Sequence, residues 1–127
     1  MQMTKADLHW LAGLLEGEGS FFVAYSRNGG HQYPHARIEV SMTDKDVIQR
    51  AAKLLGATYR LQKWSTAATR HYKPIWKSSV YSANAVSHML RLAPLMGRRR
   101  KRKIADVLRE CRMTRARPWG KRHRRAA

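Results

Sequence analysis

The sequence predicts an α+β domain with the element order αββαββα. Three observations predict it. A capped, apolar helix pattern opens the chain, a second capped helix pattern lies near its middle, and each is followed by a pair of strand-like segments. At 127 residues the chain is long enough for one core and short for two.

The first helix is expected over residues 5–17. Thr4 and Asp7 stand three apart, the spacing of a capping box. At about 100° per residue, Leu8, Leu11, Ala12 and Leu15 share one face, while Trp10, Gly13, Leu14 and Gly17 share nearly the opposite one. Both faces are apolar, so the second must be covered by another part of the chain or by another copy of it. Gly13 and Gly17, one turn apart, let a partner helix approach backbone to backbone. The plainer alternative is an ordinary buried helix ended by Gly17 and Gly19, with Glu16 and Glu18 solvated.

Residues 20–26 suit a strand, Asn28-Gly29-Gly30 is a turn signal, and residues 35–42 alternate. This reads as a long hairpin. In its second strand Ile38, Val40 and Met42 face the core, leaving Arg37, Glu39 and Ser41 on the other side. Thr43 and Asp46 form a second capping-box pattern, followed by an apolar stripe of Val47, Ile48, Ala51, Leu54 and Leu55 closed by Gly56. Residues 58–64 and 75–82 read as a second hairpin across the polar stretch 65–73. Tyr59 and Leu61 suggest one inward face, on which Lys63 also falls, so the phase stays open; in that phase Arg60, Gln62 and Lys77 are exposed. A short helix is expected over residues 84–92, ended near Pro94. The last begins near Arg98, with Ile104, Val107, Leu108 and Cys111 buried.

Composition narrows the function classes. The formal charge is +18, from 26 basic and 8 acidic residues, which points to a polyanionic partner. Residues 97–127 hold 14 of the basic and 2 of the acidic residues. Arg98, Arg99, Arg100, Lys101, Arg102 and Lys103 crowd the start of the last helix, where the helix dipole disfavours positive charge. Phosphates bound there would explain them; a solvated basic face or a localisation tract is the alternative. The segment 112–127 holds seven basic residues and no acidic one, and is expected to be a basic tail outside a single domain at 1–111, adding salt-dependent affinity. The lone Cys111 excludes an internal disulfide framework and a cysteine metal cluster. His31, His35 and His71 have no ligand-like spacing and read as surface residues. No apolar run reaches the length of a bilayer span, and no secretory signal precedes the first helix. A reducing compartment is expected: cytoplasm, nucleoid or organellar matrix.

The segment Leu11-Ala12-Gly13-Leu14-Leu15-Glu16-Gly17-Glu18-Gly19 carries a resemblance. It resembles the signature of the LAGLIDADG homing endonucleases, reproducing its apolar–glycine–acidic order with glutamate in place of aspartate at both acidic positions. The order of elements along the chain is similar as well. The resemblance implies a saddle-shaped antiparallel sheet with helices on one face, and site-specific, metal-dependent cleavage of double-stranded DNA at a long pseudo-palindromic target. A chain with one signature resembles the homodimeric type, with Trp10, Gly13, Leu14 and Gly17 at the subunit seam.

The same resemblance assigns roles. The second acidic position, Glu18, is the metal ligand, with the Gly17 carbonyl nearby. Glu16 serves the helix end or the subunit contact. Mg2+ is the implied cofactor, with Mn2+ able to substitute and Ca2+ binding without supporting cleavage; glutamate is as hard an oxygen ligand as aspartate. Asp44 falls where a polar side chain positions water, although a first-turn acid of the second helix is the alternative. Arg99, or Arg98 in the alternative register, stabilises phosphate charge. Ser26, Arg27, Arg37, Glu39, Ser41, Arg60, Gln62 and Lys77 read the DNA from the sheet, with Arg98 and Arg100 as further DNA contacts. Neither a membrane nor a small-molecule substrate is implied. Two other readings remain at this stage: a non-cleaving nucleic-acid-binding protein or RNA-splicing maturase on the same fold, and a basic binding module in which the nonapeptide is coincidental.

Overall fold

The computed structural model describes residues 3–62 and 73–114. The elements are α1 (Lys5–Glu18), β1 (Gly19–Asn28), β2 (His31–Met42), α2 (Lys45–Leu55), β3 (Tyr59–Gln62), β4 (Ile75–Tyr81), α3 (Ser82–Leu92), a 3-10 turn (Ala93–Leu95) and α4 (Arg98–Thr114). The fold is α+β, and its four strands form one antiparallel sheet in the order β1-β2-β4-β3. The chain divides into two compact units, Met1–Ser20 with Ile38–Val80 and Phe21–Arg37 with Tyr81–Ala127.

In the first unit α1 begins at the expected capping box. The Asp7 N–H donates to Thr4 Oγ1 at 3.0 Å, and the Thr4 N–H donates back to Asp7 Oδ2 at 3.2 Å. Hydrogen bonding from the Thr4 side chain, and then from the Thr4 N–H, holds the Asp7 carboxyl below the usual carboxylate range, with Arg50 and Lys53 adding to the effect. Leu11, Ala12 and Leu15 are buried and Leu8 is half-buried. α1 is fastened to α2 through Arg50, whose guanidinium carbon lies 4.0 Å from the centre of the Trp10 ring and whose Nη2 lies 3.9 Å from Asp7 Oδ1.

The end of α1 is sterically determined. A Cβ on Gly19 would lie 2.8 Å from the Leu15 carbonyl oxygen and 2.9 Å from its Cα, so only glycine lets the chain pass from helix to strand without a loop.

α2 differs from expectation at its start. Asp44 is the N-cap and makes no side-chain capping bond, so the Thr43–Asp46 box is not formed. With the cap at Asp44 the third helical residue is Val47, which has no side-chain acceptor to return a bond. Ile48, Ala51, Ala52 and Leu55 are buried. The helix ends as expected at Gly56, which has φ of 68° and lets the Ala57 N–H reach the Ala52 carbonyl at 2.9 Å.

β3 and β4 pair antiparallel with Tyr59 opposite Ser78, Arg60 opposite Lys77, Leu61 opposite Trp76 and Gln62 opposite Ile75. Tyr59 and Leu61 therefore share a face with the fully buried Ser78, yet each keeps 39% of its surface exposed. Tyr59 is held there by Gln49, whose Nε2 donates to its hydroxyl at 2.8 Å, and by an edge contact with Trp76. The buried Ser78 hydroxyl is satisfied by the Thr58 carbonyl at 2.9 Å. The expected end of β3 at residues 63–64 and the polar stretch up to residue 72 lie outside the described residues.

In the second unit the first hairpin is longer than predicted, because β2 begins at His31. Gly29 and Gly30 have φ of 59° and 83°, the two left-handed positions of the tight turn that suits twisted strands. Phe21 and Ala36 are buried on the hairpin's core side. α3 starts two residues before the predicted position, at Ser82, and buries Ala85, Met89 and Leu92. α4 buries Ile104, Val107 and Cys111, with Leu108 half-buried. It runs to Thr114 rather than ending near Cys111. Arg112 in its last turn suits the negative end of the dipole. Residues 115–127 of the expected tail lie outside the described residues.

Two outcomes follow from these contacts. Gly19→Ala is expected to cost about 1–3 kcal/mol in denaturant titrations, because two of its contacts are backbone atoms that cannot swing aside; unchanged stability would contradict the steric account. The Asp7 carboxyl has a depressed folded-state pKa, so its contribution is present above the ordinary carboxylate range and is lost as pH falls through the folded value. Thr4→Val should move the Asp7 titration, followed by NMR, up toward its ordinary value.

Candidate functional site

The nonapeptide occupies the second half of α1 and the first residue of β1. Glu18 is the last helical residue and is exposed, as is Gly17, whereas Glu16 is half-buried. The last turn of α1 contains no basic residue. The exposed Glu18 carboxylate thus sits at the negative end of a helix dipole with no basic residue on that turn, an arrangement that costs about 0.3–1 kcal/mol. A bound cation would reverse the sign of that interaction. Among the described residues no group of three or more histidine, cysteine, aspartate or glutamate side chains could hold a metal. The glutamates of the segment carry hard oxygen donors, the ligand type that Mg2+ and Ca2+ prefer.

The seam residues divide by their surroundings. Gly13 and Gly17 are exposed, and a Cβ built on either meets nothing within 4 Å among the described residues. Packing among the described residues requires neither glycine. Leu14 is half-buried, and Trp10 has one ring face covered by Arg50. The face is open at its glycines and partly closed at its tryptophan.

Asp44 is exposed at the start of α2 in extended backbone. An aspartate at this position usually stabilises a helix by capping it; this one does not, which leaves its carboxylate to other uses. At the start of α4, Arg98 and Arg99 are exposed and Arg100 is half-buried, with Lys101, Arg102 and Lys103 exposed behind them. The first turn holds no acidic residue. Basic side chains beside the N–H groups of a helix start make an anion-binding end.

On the sheet, the sequence-predicted residues fall into two groups. In the first unit Glu39 is held by β4: Lys77 Nζ lies 3.3 Å from Glu39 Oε1, and Ser79 Oγ donates to Glu39 Oε2 at 3.2 Å. Arg60 pairs across from Lys77, and period two places Gln62 on the same face of β3 as Arg60. Ser41 follows Glu39 on the same face of β2, half-buried. In the second unit Ser26 Oγ lies 3.3 Å from His35 Nδ1. Arg37 lies against two aromatic rings, with its guanidinium carbon 4.7 Å from the Tyr81 centroid and 5.5 Å from that of Phe22. Arg27 does not join this group. Period two puts it on the face of Tyr25, whose hydroxyl bonds to Glu110 of α4 and whose pKa is raised by that bond and by burial.

Sequence reasoning missed Phe22, Tyr81, Ser79 and His35 as members of these groups. A signal existed for Phe22: of two adjacent phenylalanines in a strand, one must face away from the core. Nothing local marked Tyr81, which depends on which strand lies beside β2. His71 lies outside the described residues.

The charge placement at the end of α1 has a measurable consequence. In metal-free buffer of low ionic strength, Glu18→Gln is expected to raise stability by about 0.3–1 kcal/mol, an increment that salt diminishes. Destabilisation of that size would show that Glu18 is a structural acceptor instead.

No protein-family model and no curated protein matches the chain. Solved structures do. The homing endonuclease I-CvuI, in complex with its target in the presence of Ca, aligns over 86% of this chain and 68% of its own length, with a TM-score of 0.65 and 17% identity. The group I intron-encoded homing endonuclease I-CeuI, complexed with DNA, aligns over 89% of this chain and 57% of its own, with a TM-score of 0.63 and 14% identity. The archaeal intron-encoded homing endonuclease I-Vdi141I, also complexed with DNA, gives 72% and 58%, with a TM-score of 0.52 and 14% identity. At these identities the likeness is one of fold, and the fold of this chain is that of the LAGLIDADG homing endonucleases.

Proposed function

We propose that this chain is a homodimeric, Mg2+-dependent, site-specific endonuclease of double-stranded DNA, of the kind that drives intron homing. The observation that carries the reading is the end of α1: an exposed glutamate at a helix terminus that disfavours it, directly beyond a glycine-lined face that the chain itself leaves open. Neither feature is explained by a contact among the described residues. Both suit a dimer that shares cations with DNA.

In this reading Gly13, Leu14 and Gly17 pack against the same residues of a second copy, with Trp10 at the rim where Arg50 already covers one ring face. Glu18 and the Gly17 carbonyl would hold Mg2+, and the ion, when bound, would supply a more acidic water and positive charge beside the phosphate. Asp44 orients water, and Arg99 offsets phosphate charge as a fixed cation rather than as a proton donor. Arg98 and Arg100 add backbone contacts. Ser26, Arg37, Glu39, Ser41, Arg60, Gln62 and Lys77 contact bases or phosphates, with arginine suited to guanine and glutamate to cytosine. Glu39 is held by Lys77 and Ser79, so it reads a base in concert with Lys77 rather than alone. Arg27, beside the hairpin turn, contacts the backbone. Two-fold protein symmetry implies a pseudo-palindromic target.

The test uses a plasmid library of randomised pseudo-palindromic inserts with Mg2+. The wild-type chain is expected to cut a defined subset, and Glu18→Gln to bind that subset as a dimer without cutting it. Cleavage by Glu18→Gln at the wild-type rate would remove Glu18 from the metal site. Retained binding with no cleavage by either protein would favour a non-cleaving role on the same fold. A Cβ at Gly13 meets nothing within 4 Å among the described residues, so Gly13→Leu is expected to preserve helical content and raise the dimer dissociation constant about tenfold or more in sedimentation experiments. An unchanged dissociation constant would place the subunit contact elsewhere.

A further inference from the structure

The second unit contains an arrangement that the proposed reaction does not require. Phe22 and Arg37 both follow residues buried in the core, Phe21 and Ala36, so strand alternation puts them on the opposite face of the hairpin. There the Arg37 guanidinium carbon stands 4.7 Å from the Tyr81 ring centroid and 5.5 Å from that of Phe22. Tyr81 is braced in turn by the His35 ring, 6.2 Å away between centroids, and His35 Nδ1 lies 3.3 Å from Ser26 Oγ.

Tyr81 remains 43% exposed and is the last residue of β4. Ser82, which follows it, has φ of 56° and is the only non-glycine residue with positive φ among those described. A left-handed serine is disfavoured, and such outliers persist where the surroundings hold them. The chain accepts this one at the residue that turns from Tyr81 into α3.

We propose that Tyr81 and Phe22 are positioning residues that set Arg37 as a guanine-reading side chain. The inference rests on the reading of this face as a DNA interface. A guanidinium stacks through its faces and donates hydrogen bonds in its plane, so contact with aromatic rings and bidentate contact with a guanine edge are compatible. A free arginine loses much rotamer freedom when it binds a base. Arg37 is ordered before DNA arrives, so the rings convert a flexible cation, attracted to any phosphate, into one with a fixed direction. Tyr81 is the principal clamp because it is nearer, and His35 and Ser26 limit its movement.

The experiment is selection from a random-sequence duplex library, carried out with the wild-type chain, Arg37→Ala, Tyr81→Leu and Tyr81→Phe, alongside affinity for a non-cognate duplex. Wild type is expected to prefer guanine at one base pair of each half-site, and Arg37→Ala to lose about tenfold or more of that preference. Tyr81→Leu should relax the same base pair while leaving non-cognate affinity within about twofold, because it changes no charge. Tyr81→Phe, which keeps the ring, should restore the preference. Phe22→Leu should give a smaller relaxation at that pair.

The outcomes separate the two claims. If Arg37→Ala relaxes one base pair and Tyr81→Leu does not, the positioning role is overturned while the DNA interface stands. If Tyr81→Leu weakens all duplexes equally, or Tyr81→Phe fails to restore the preference, Tyr81 is structural and the inference fails. If the library yields no enriched sequence, or Arg37→Ala leaves every position unchanged, the reading of this face fails and the inference fails with it.

Discussion

The contact on which the rest of this structure depends is between Gly19 and Leu15. The strand leaves the helix so closely that a methyl group on Gly19 would overlap backbone atoms of Leu15. No loop separates α1 from β1, and the last helical residue is therefore Glu18, fixed in direction by the helix behind it and the strand ahead of it. The other two glycines of the segment differ from Gly19. A Cβ at Gly13 or Gly17 would meet nothing within 4 Å among the described residues.

Two helix ends in this chain carry charges that their own dipoles oppose. Glu16 and Glu18 stand at the negative end of α1, and six basic residues stand at the positive end of α4. Either placement weakens the isolated helix. A sequence selected only for stability would reverse them, as the chain does elsewhere with Asp7 in the first turn of α1 and Lys53 in the last turn of α2. Local rules obeyed at some termini and broken at others mark the broken ones as places where another constraint prevails. A cation at the first site and phosphates at the second are the ligands that would turn both penalties into stabilisation.

Much of this was legible in the residues. Thr4 with Asp7, the Gly29-Gly30 turn, the alternation within residues 35–42 and Gly56 each encode local geometry with a local cause, and the structure contains all four. The failures also have causes. The Thr43–Asp46 pattern has the spacing of a capping box, but the helix begins one residue later and puts Val47 where an acceptor is needed. The phase of β3 is ambiguous in the sequence, where Lys63 falls on the face of Tyr59 and Leu61; these two share a face with Ser78 but stay partly exposed, because β3 is an edge strand of four residues. Tyr81 and Ser79 could not be read from spacing at all. Their roles come from pairing between segments that are distant along the chain, and such pairing leaves no local trace in sequence.

The central claim is that Glu18 is where a divalent cation meets this chain. Paramagnetic Mn2+ titrated into the protein with duplex DNA reports that position directly, since it broadens amide NMR signals by distance. The account predicts that the signals of Gly17, Glu18 and Gly19 broaden first, and that Ca2+ in excess restores them. Early broadening centred on Asp106 and Glu110, the acidic residues of α4, with the end of α1 unaffected, would contradict it.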